Sequence, residues 1–124
     1  VPLHVTAFHP EFRMMDHSRT SLETLTTARN IALECGLKYV YTGNVLDREG
    51  QSSYCPKCKR LLIDRNWFEL GEYNLNGNQC DQCGERIAGH FAERPGTWGA
   101  RRMPVDPSKL VAQLAQFPSR KVSP

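Results

Sequence analysis

The chain has 124 residues, of which 40% are apolar, a mean hydropathy of -0.52, and a formal charge of +3 from 16 basic against 13 acidic side chains. That length allows one modest domain with a small core. No apolar run approaches the roughly 18 residues of a membrane span, and the charges are spread without a block that would mark a polyanion-binding tail. A soluble cytoplasmic protein is expected, with no membrane association and with nucleic acid disfavoured as a partner.

In chain order, Leu3-His4-Val5-Thr6-Ala7-Phe8 alternates apolar with polar residues until His9-Pro10 stops it, which predicts a strand over residues 3–8. Glu11, Asp16 and His17 then form a polar cluster that reads as a solvated loop ahead of a metal site. From Thr20 the pattern turns helical: Thr20-Ser21-Leu22-Glu23 has the form of a capping box. Leu22, Leu25, Ala28, Ala32 and Cys35 recur at helical spacing, and Gly36 follows as a stop. Cys35, at the end of that helix, is expected to be a buried, inert thiol. Leu37-Lys38-Tyr39-Val40-Tyr41-Thr42 is β-branched and aromatic and ends at Gly43-Asn44, so a second strand follows. Strand, helix and strand with short connections predict a right-handed parallel βαβ unit and an α/β fold class. One such unit leaves parallel-sheet edges bare. The chain, starting at Val1 with a strand already under way, is therefore expected to be the end of something larger.

Residues 45–53 read as a polar link into a second unit. There, Cys55-Pro56-Lys57-Cys58 and Cys80-Asp81-Gln82-Cys83 stand 21 residues apart, a spacing that suits a tetrahedral thiolate site. Two residues between cysteines let the chain turn over a metal so that both sulfurs bind it, and Gly84 eases the turn after the second pair. Five cysteines and no export-like segment argue against disulfides. Zinc is the expected ion, held structurally, although iron uses the same four ligands. Leu61-Leu62-Ile63 and Trp67-Phe68-Glu69-Leu70 read as short strands of this ribbon, with Asn74-Leu75-Asn76-Gly77-Asn78 as the turn before the second cysteine pair.

Beyond the ribbon, Pro95-Gly96-Thr97-Trp98-Gly99-Ala100-Arg101-Arg102 reads as an irregular tail anchored by Trp98. Asp106-Pro107 caps a short amphipathic helix expected to run through Gln116, and the last residues are expected to be disordered. Three parts result: a βαβ unit over 1–53, a four-cysteine ribbon over 54–91, and a tail over 92–124.

Four segments in order, His4-Val5-Thr6-Ala7-Phe8-His9-Pro10, Leu37-Lys38-Tyr39-Val40-Tyr41-Thr42-Gly43-Asn44-Val45, Tyr54-Cys55-Pro56-Lys57-Cys58 and Gly96-Thr97-Trp98-Gly99-Ala100-Arg101-Arg102, resemble the C-terminal third of the AmmeMemoRadiSam-system radical SAM proteins. Those are similar to pyruvate formate-lyase activating enzymes, and the resemblance covers about residues 1 to 105. It implies a partial or full α/β barrel, a [4Fe–4S] cluster on a C-x3-C-x2-C loop, and reductive cleavage of S-adenosylmethionine. The chain lacks the C-x3-C-x2-C motif, so no cluster ligand is carried over and the chain alone is expected to be inactive. In a complete barrel the C-terminal strand ends approach cofactor and substrate, which makes His9 and Asn44 candidates and His4 a third. Asn44 after Gly43 is more often a turn residue than a ligand. The other expectation is a free-standing zinc ribbon, with Lys57, Lys59, Arg60, Arg65 and Arg86 contacting nucleic acid or an acidic protein partner.

Overall fold

The computed structural model describes residues 1–96, 99 and 106–109, and its first half is a strand–helix–strand unit. Leu3–Thr6 (β1) pairs in parallel with Val40–Gly43 (β2), Leu3 opposite Val40 and Thr6 opposite Gly43. The helix Leu22–Glu34 (α1) connects them. β1 is shorter than the expected 3–8. The Ala7 N–H still bonds the Gly43 carbonyl at 2.9 Å, but the Phe8 N–H turns to Thr20 Oγ1 at 2.9 Å and the chain leaves the sheet.

That diversion moves the helix cap by one residue. Thr20 is committed to Phe8, so Ser21 caps α1, accepting from the Thr24 N–H at 3.2 Å. Gly36 ends the helix at φ +94°, a region that favours glycine. α1 buries Leu25 and Ala32; Leu25 packs with Ala7, Val45 and Val5. Cys35 is exposed rather than buried. It is the C-cap, just past the last residue of the helix.

The stretch expected as a plain link is structured. Asp47 caps the single-turn helix Arg48–Gln51 (α2), accepting from the Gly50 N–H at 3.0 Å and from Thr42 Oγ1 at 2.8 Å. Ser53–Tyr54 (β3) then joins Leu61–Asn66 (β4) and Glu69–Tyr73 (β5) in an antiparallel sheet of order β3-β4-β5. Trp67 and Phe68, expected within a strand, instead turn the β4–β5 hairpin, with Trp67 at φ +57°. Leu75–Asn76 (β6) and Gln79–Cys80 (β7) form a second hairpin around Gly77 at φ +62°.

Several ties hold the βαβ unit to the ribbon, two of them between side chains of named elements. The Arg48 guanidinium on α2 grips the buried Asp64 carboxylate on β4 through two bonds, Nε to Oδ1 at 2.8 Å and a second from Nη2 to Oδ2. Tyr41 Oη on β2 lies 2.9 Å from Ser53 Oγ on β3. The ribbon core is Cys55, Leu62, Ile63, Cys80 and Ile87, with Leu62 only 1% exposed. Burying such a leucine stabilises by about 1.5–3 kcal/mol.

The fold class is α/β with small sheets, and among the described residues the parallel sheet has two strands. Trp98, Arg101, Arg102 and most of the helix expected through Gln116 lie outside the described residues, as does the end of the chain. Within 106–109, Pro107–Lys109 is helical and Asp106 Oδ1 accepts the Ser108 N–H at 3.0 Å. No helix among the described residues is long and apolar enough to cross a membrane.

Candidate metal centre

Each cysteine pair sits on the same backbone device. In the first, the Cys55 N–H bonds the Arg60 carbonyl at 2.8 Å and the Lys59 N–H returns to the Cys55 carbonyl at 3.0 Å. In the second, the Cys80 N–H bonds the Glu85 carbonyl at 2.9 Å and the Gly84 N–H returns to the Cys80 carbonyl at 3.0 Å. Lys59 and Gly84 take the left-handed conformation, at φ +64° and +72°, that reverses the chain beneath each pair. Two knuckles of one geometry thus face each other, and Arg60 of the first binds Asp81 of the second through Nε–Oδ1 at 2.5 Å and Nη2–Oδ2 at 2.9 Å.

The knuckles bring all four sulfurs within 4.8 Å of one another. Cys55 Sγ is 3.6 Å from Cys83 Sγ, and Cys58 Sγ is 3.6 Å from Cys80 Sγ. A disulfide needs about 2.05 Å, so these are not bonded pairs. Sulfurs bound to one tetrahedral ion at about 2.3 Å stand about 3.8 Å apart, close to the spacing here. The surroundings of the thiols pull them in opposite directions. N–H groups of Cys83 and Gln82 point at the Cys80 sulfur and, against the cost of burial, bring it down to about 7. The Arg60 N–H favours the Cys58 thiolate, yet burial and the neighbouring Cys83, Cys55 and Cys80 thiols prevail and push it up to about 12. Four sulfurs this close do not all ionise unaided; a cation among them removes that conflict.

Cys55, Cys58, Cys80 and Cys83 therefore form a metal-binding module, and among the described residues they are the one group of His, Cys, Asp and Glu side chains so placed. Four protein ligands leave no open coordination position, which is the pattern of a structural site. The Glu11, Asp16 and His17 cluster is an exposed loop, with His17 Nε2 3.7 Å from Asp16 Oδ1.

The histidine and asparagine candidates do not share one position. His9 is exposed just beyond β1, its Nδ1 3.2 Å from the Pro10 carbonyl. Asn44, at φ +55°, closes the turn after β2: its Nδ2 donates to the Ala7 carbonyl at 2.9 Å and its own carbonyl accepts from Arg19 at 2.8 Å. His4 lies inside β1, its ring stacked on Tyr41 at 5.1 Å, and lines a cleft between the sheet and the ribbon. Of the ribbon cations, Arg60 is engaged by Asp81 and Arg65 lines that same cleft, which leaves Lys57, Lys59 and Arg86 exposed.

Sequence reasoning did not find Asp64, Arg48 or the Arg60–Asp81 clamp. Asp64 had a signal: a carboxylate directly after the apolar run Leu61-Leu62-Ile63, read as a strand, calls for a cationic partner where that run is buried.

No family model matches the chain, and no solved structure matches it. Over 88 residues it is 49% identical to an uncharacterized protein of Methanocaldococcus jannaschii, MJ0808. The match takes in 69% of this chain and 26% of that protein, so the chain spans about a quarter of the length of the curated relative it matches.

Proposed function

We propose that this chain is the C-terminal part of a radical S-adenosylmethionine protein resembling the glycyl-radical-enzyme activating enzymes, in which Cys55, Cys58, Cys80 and Cys83 hold a structural zinc ion. The observation that carries the zinc reading is the meeting of four sulfurs from two matched knuckles. Zinc in a closed four-thiolate site supplies folding energy rather than chemistry. Here it fixes β3, β6 and β7 into a ribbon that Arg48 and Asp64 fasten to the βαβ unit. The radical-enzyme reading rests on the four ordered motifs; a relative far longer than the matched stretch is consistent with it. In the longer protein the [4Fe–4S] cluster and S-adenosylmethionine belong to the part outside this chain, and no residue here is assigned to the cluster. A protein partner docks through the exposed side of the ribbon.

The test is reconstitution with iron and sulfide of this chain and of the longer protein, followed by assay for 5′-deoxyadenosine. The proposal expects product from the longer protein only. Product from this chain alone, or none from a longer protein carrying its cluster, contradicts it.

The other reading is a free-standing zinc ribbon that binds nucleic acid or an acidic protein. Three exposed cations, Lys57, Lys59 and Arg86, favour it. The engagement of Arg60 by Asp81 and the place of Arg65 in the cleft weaken it, since a polyanion surface needs its cations free.

A further inference from the structure

A cleft of about 440 Å³ opens between the βαβ unit and the ribbon, within the range of small-molecule sites. Its wall is mostly apolar, with Leu62, Ile63, Leu75, Ile87 and Phe91 from the ribbon side and Tyr39 and Tyr41 from the strand side. Its polar groups converge on one spot. His4 stacks on the Tyr41 ring, the Arg65 guanidinium lies 5.8 Å from the centre of that ring, and both Tyr41 Oη and Arg65 Nη1 reach Ser53 Oγ.

The electrostatics are one-sided. Arg65, His4 and His90 line the cleft, and among the described residues no carboxylate does. All 13 acidic residues lie among the described residues, and none comes within ion-pair distance of Arg65. A guanidinium offers five N–H donors, and among the described residues the side-chain hydrogen-bond partner of Arg65 is a single neutral hydroxyl. Arg48 and Arg60, by contrast, each grip a carboxylate through two bonds.

We infer that this cleft binds a small organic anion with a planar or branched apolar body, its anionic group taken by Arg65 and its body laid against Tyr41 and the apolar ribbon wall. The planar guanidinium fork suits a carboxylate or phosphate edge. Ser53 fixes the fork, and the His4–Tyr41 stack stiffens the aromatic surface beside it. The inference rests on the cleft alone and stands apart from the radical-enzyme reading.

The test is a ¹H–¹⁵N NMR titration of the metal-loaded chain with benzoate and, separately, with benzyl alcohol, which has the same ring without the charge. Benzoate is expected to shift the amides of Tyr41, Ser53, Arg65 and Phe91 and to bind about tenfold more tightly than benzyl alcohol, the effect of one charge-assisted contact. In Arg65→Met the two probes are expected to bind equally, and in Arg65→Lys part of the preference returns. Equal affinities in the wild type, no binding of benzoate at tens of millimolar, or shifts confined to residues outside the cleft overturn the inference; the wild-type comparison requires no variant to fold.

Discussion

Lys59 and Gly84 hold equivalent places in the two knuckles: each donates its N–H to the carbonyl of the residue four before it at 3.0 Å, and each has positive φ, +64° and +72°. One is a lysine in a conformation that L residues adopt at a cost of about 1 kcal/mol or more; the other is a glycine that adopts it freely. A Cβ on Gly84 meets nothing within 4 Å, so Gly84→Ala tests conformation alone. It is expected to lower stability by about 1 kcal/mol. Lys59→Gly relieves strain but loosens the unfolded chain, and is expected within about 0.5 kcal/mol of the wild type. Thermal melts of the metal-loaded proteins check both; a large loss for Lys59→Gly means that the lysine side chain holds the knuckle.

Leu62 is the largest fully buried side chain of the ribbon, packed with Cys55, Ile63, Cys80 and Ile87. Leu62→Ala leaves a cavity directly behind the metal centre and is expected to cost about 2–5 kcal/mol. Urea titration measures this, and a loss under about 1 kcal/mol contradicts the packing described.

The Asp64 carboxyl is held below its ordinary 3.8, first by the hydrogen bonds from Arg48, against the cost of burial. Because the folded value is the lower one, the Arg48–Asp64 pair adds stability at pH above 3.8, and that stability fades as pH falls through the folded value. Asp64→Asn is expected to lower the urea midpoint at pH 6 to 7, and its gap to the wild type is expected to narrow below about pH 4. Both chains are compared only over the pH range in which each keeps its metal, because metal loss would unfold the ribbon and close the gap by itself. Gly71→Ala is expected to mimic the neutral-pH effect, since a Cβ there collides with the Asp64 carboxylate. A gap constant from pH 7 to 3 contradicts this account.

The sequence was most legible where chemistry fixes spacing. The C-x2-C pairs name the metal ligands without tertiary context, and Gly36 and Gly84 mark turns that backbone sterics demand. The parallel pairing followed from strand–helix–strand order. Legibility fell where a long-range hydrogen bond decided the outcome. Thr20 and Ser21 are both competent caps, and only the Phe8 N–H, 12 residues away in sequence, takes Thr20 out of the competition. Trp67-Phe68 has strand composition, but the pairing of Asn66 with Glu69 makes them the hairpin turn. α2 was hidden because a single turn carries no periodicity; its Asp47 cap and Gly50 were the available signs.

If one metal ion nucleates the ribbon, a ligand pair is worthless without its partner. Cys58→Ser or Cys83→Ser is expected to remove amide-exchange protection from residues 54–87, because structural zinc contributes on the order of 10 kcal/mol to such folds. Exchange in α1 and β1, which carry no cysteine ligand, is expected to change less. Retention of a single cooperative transition with protected ribbon amides in both variants contradicts metal-dependent folding.

The most direct test of the four-thiolate site is the metal content of the purified chain by mass spectrometry, with the visible absorption spectrum of the same sample. One zinc per chain and a colourless solution is the predicted result. Iron with strong visible absorption means that Cys55, Cys58, Cys80 and Cys83 hold a redox centre, and contradicts a structural zinc ribbon.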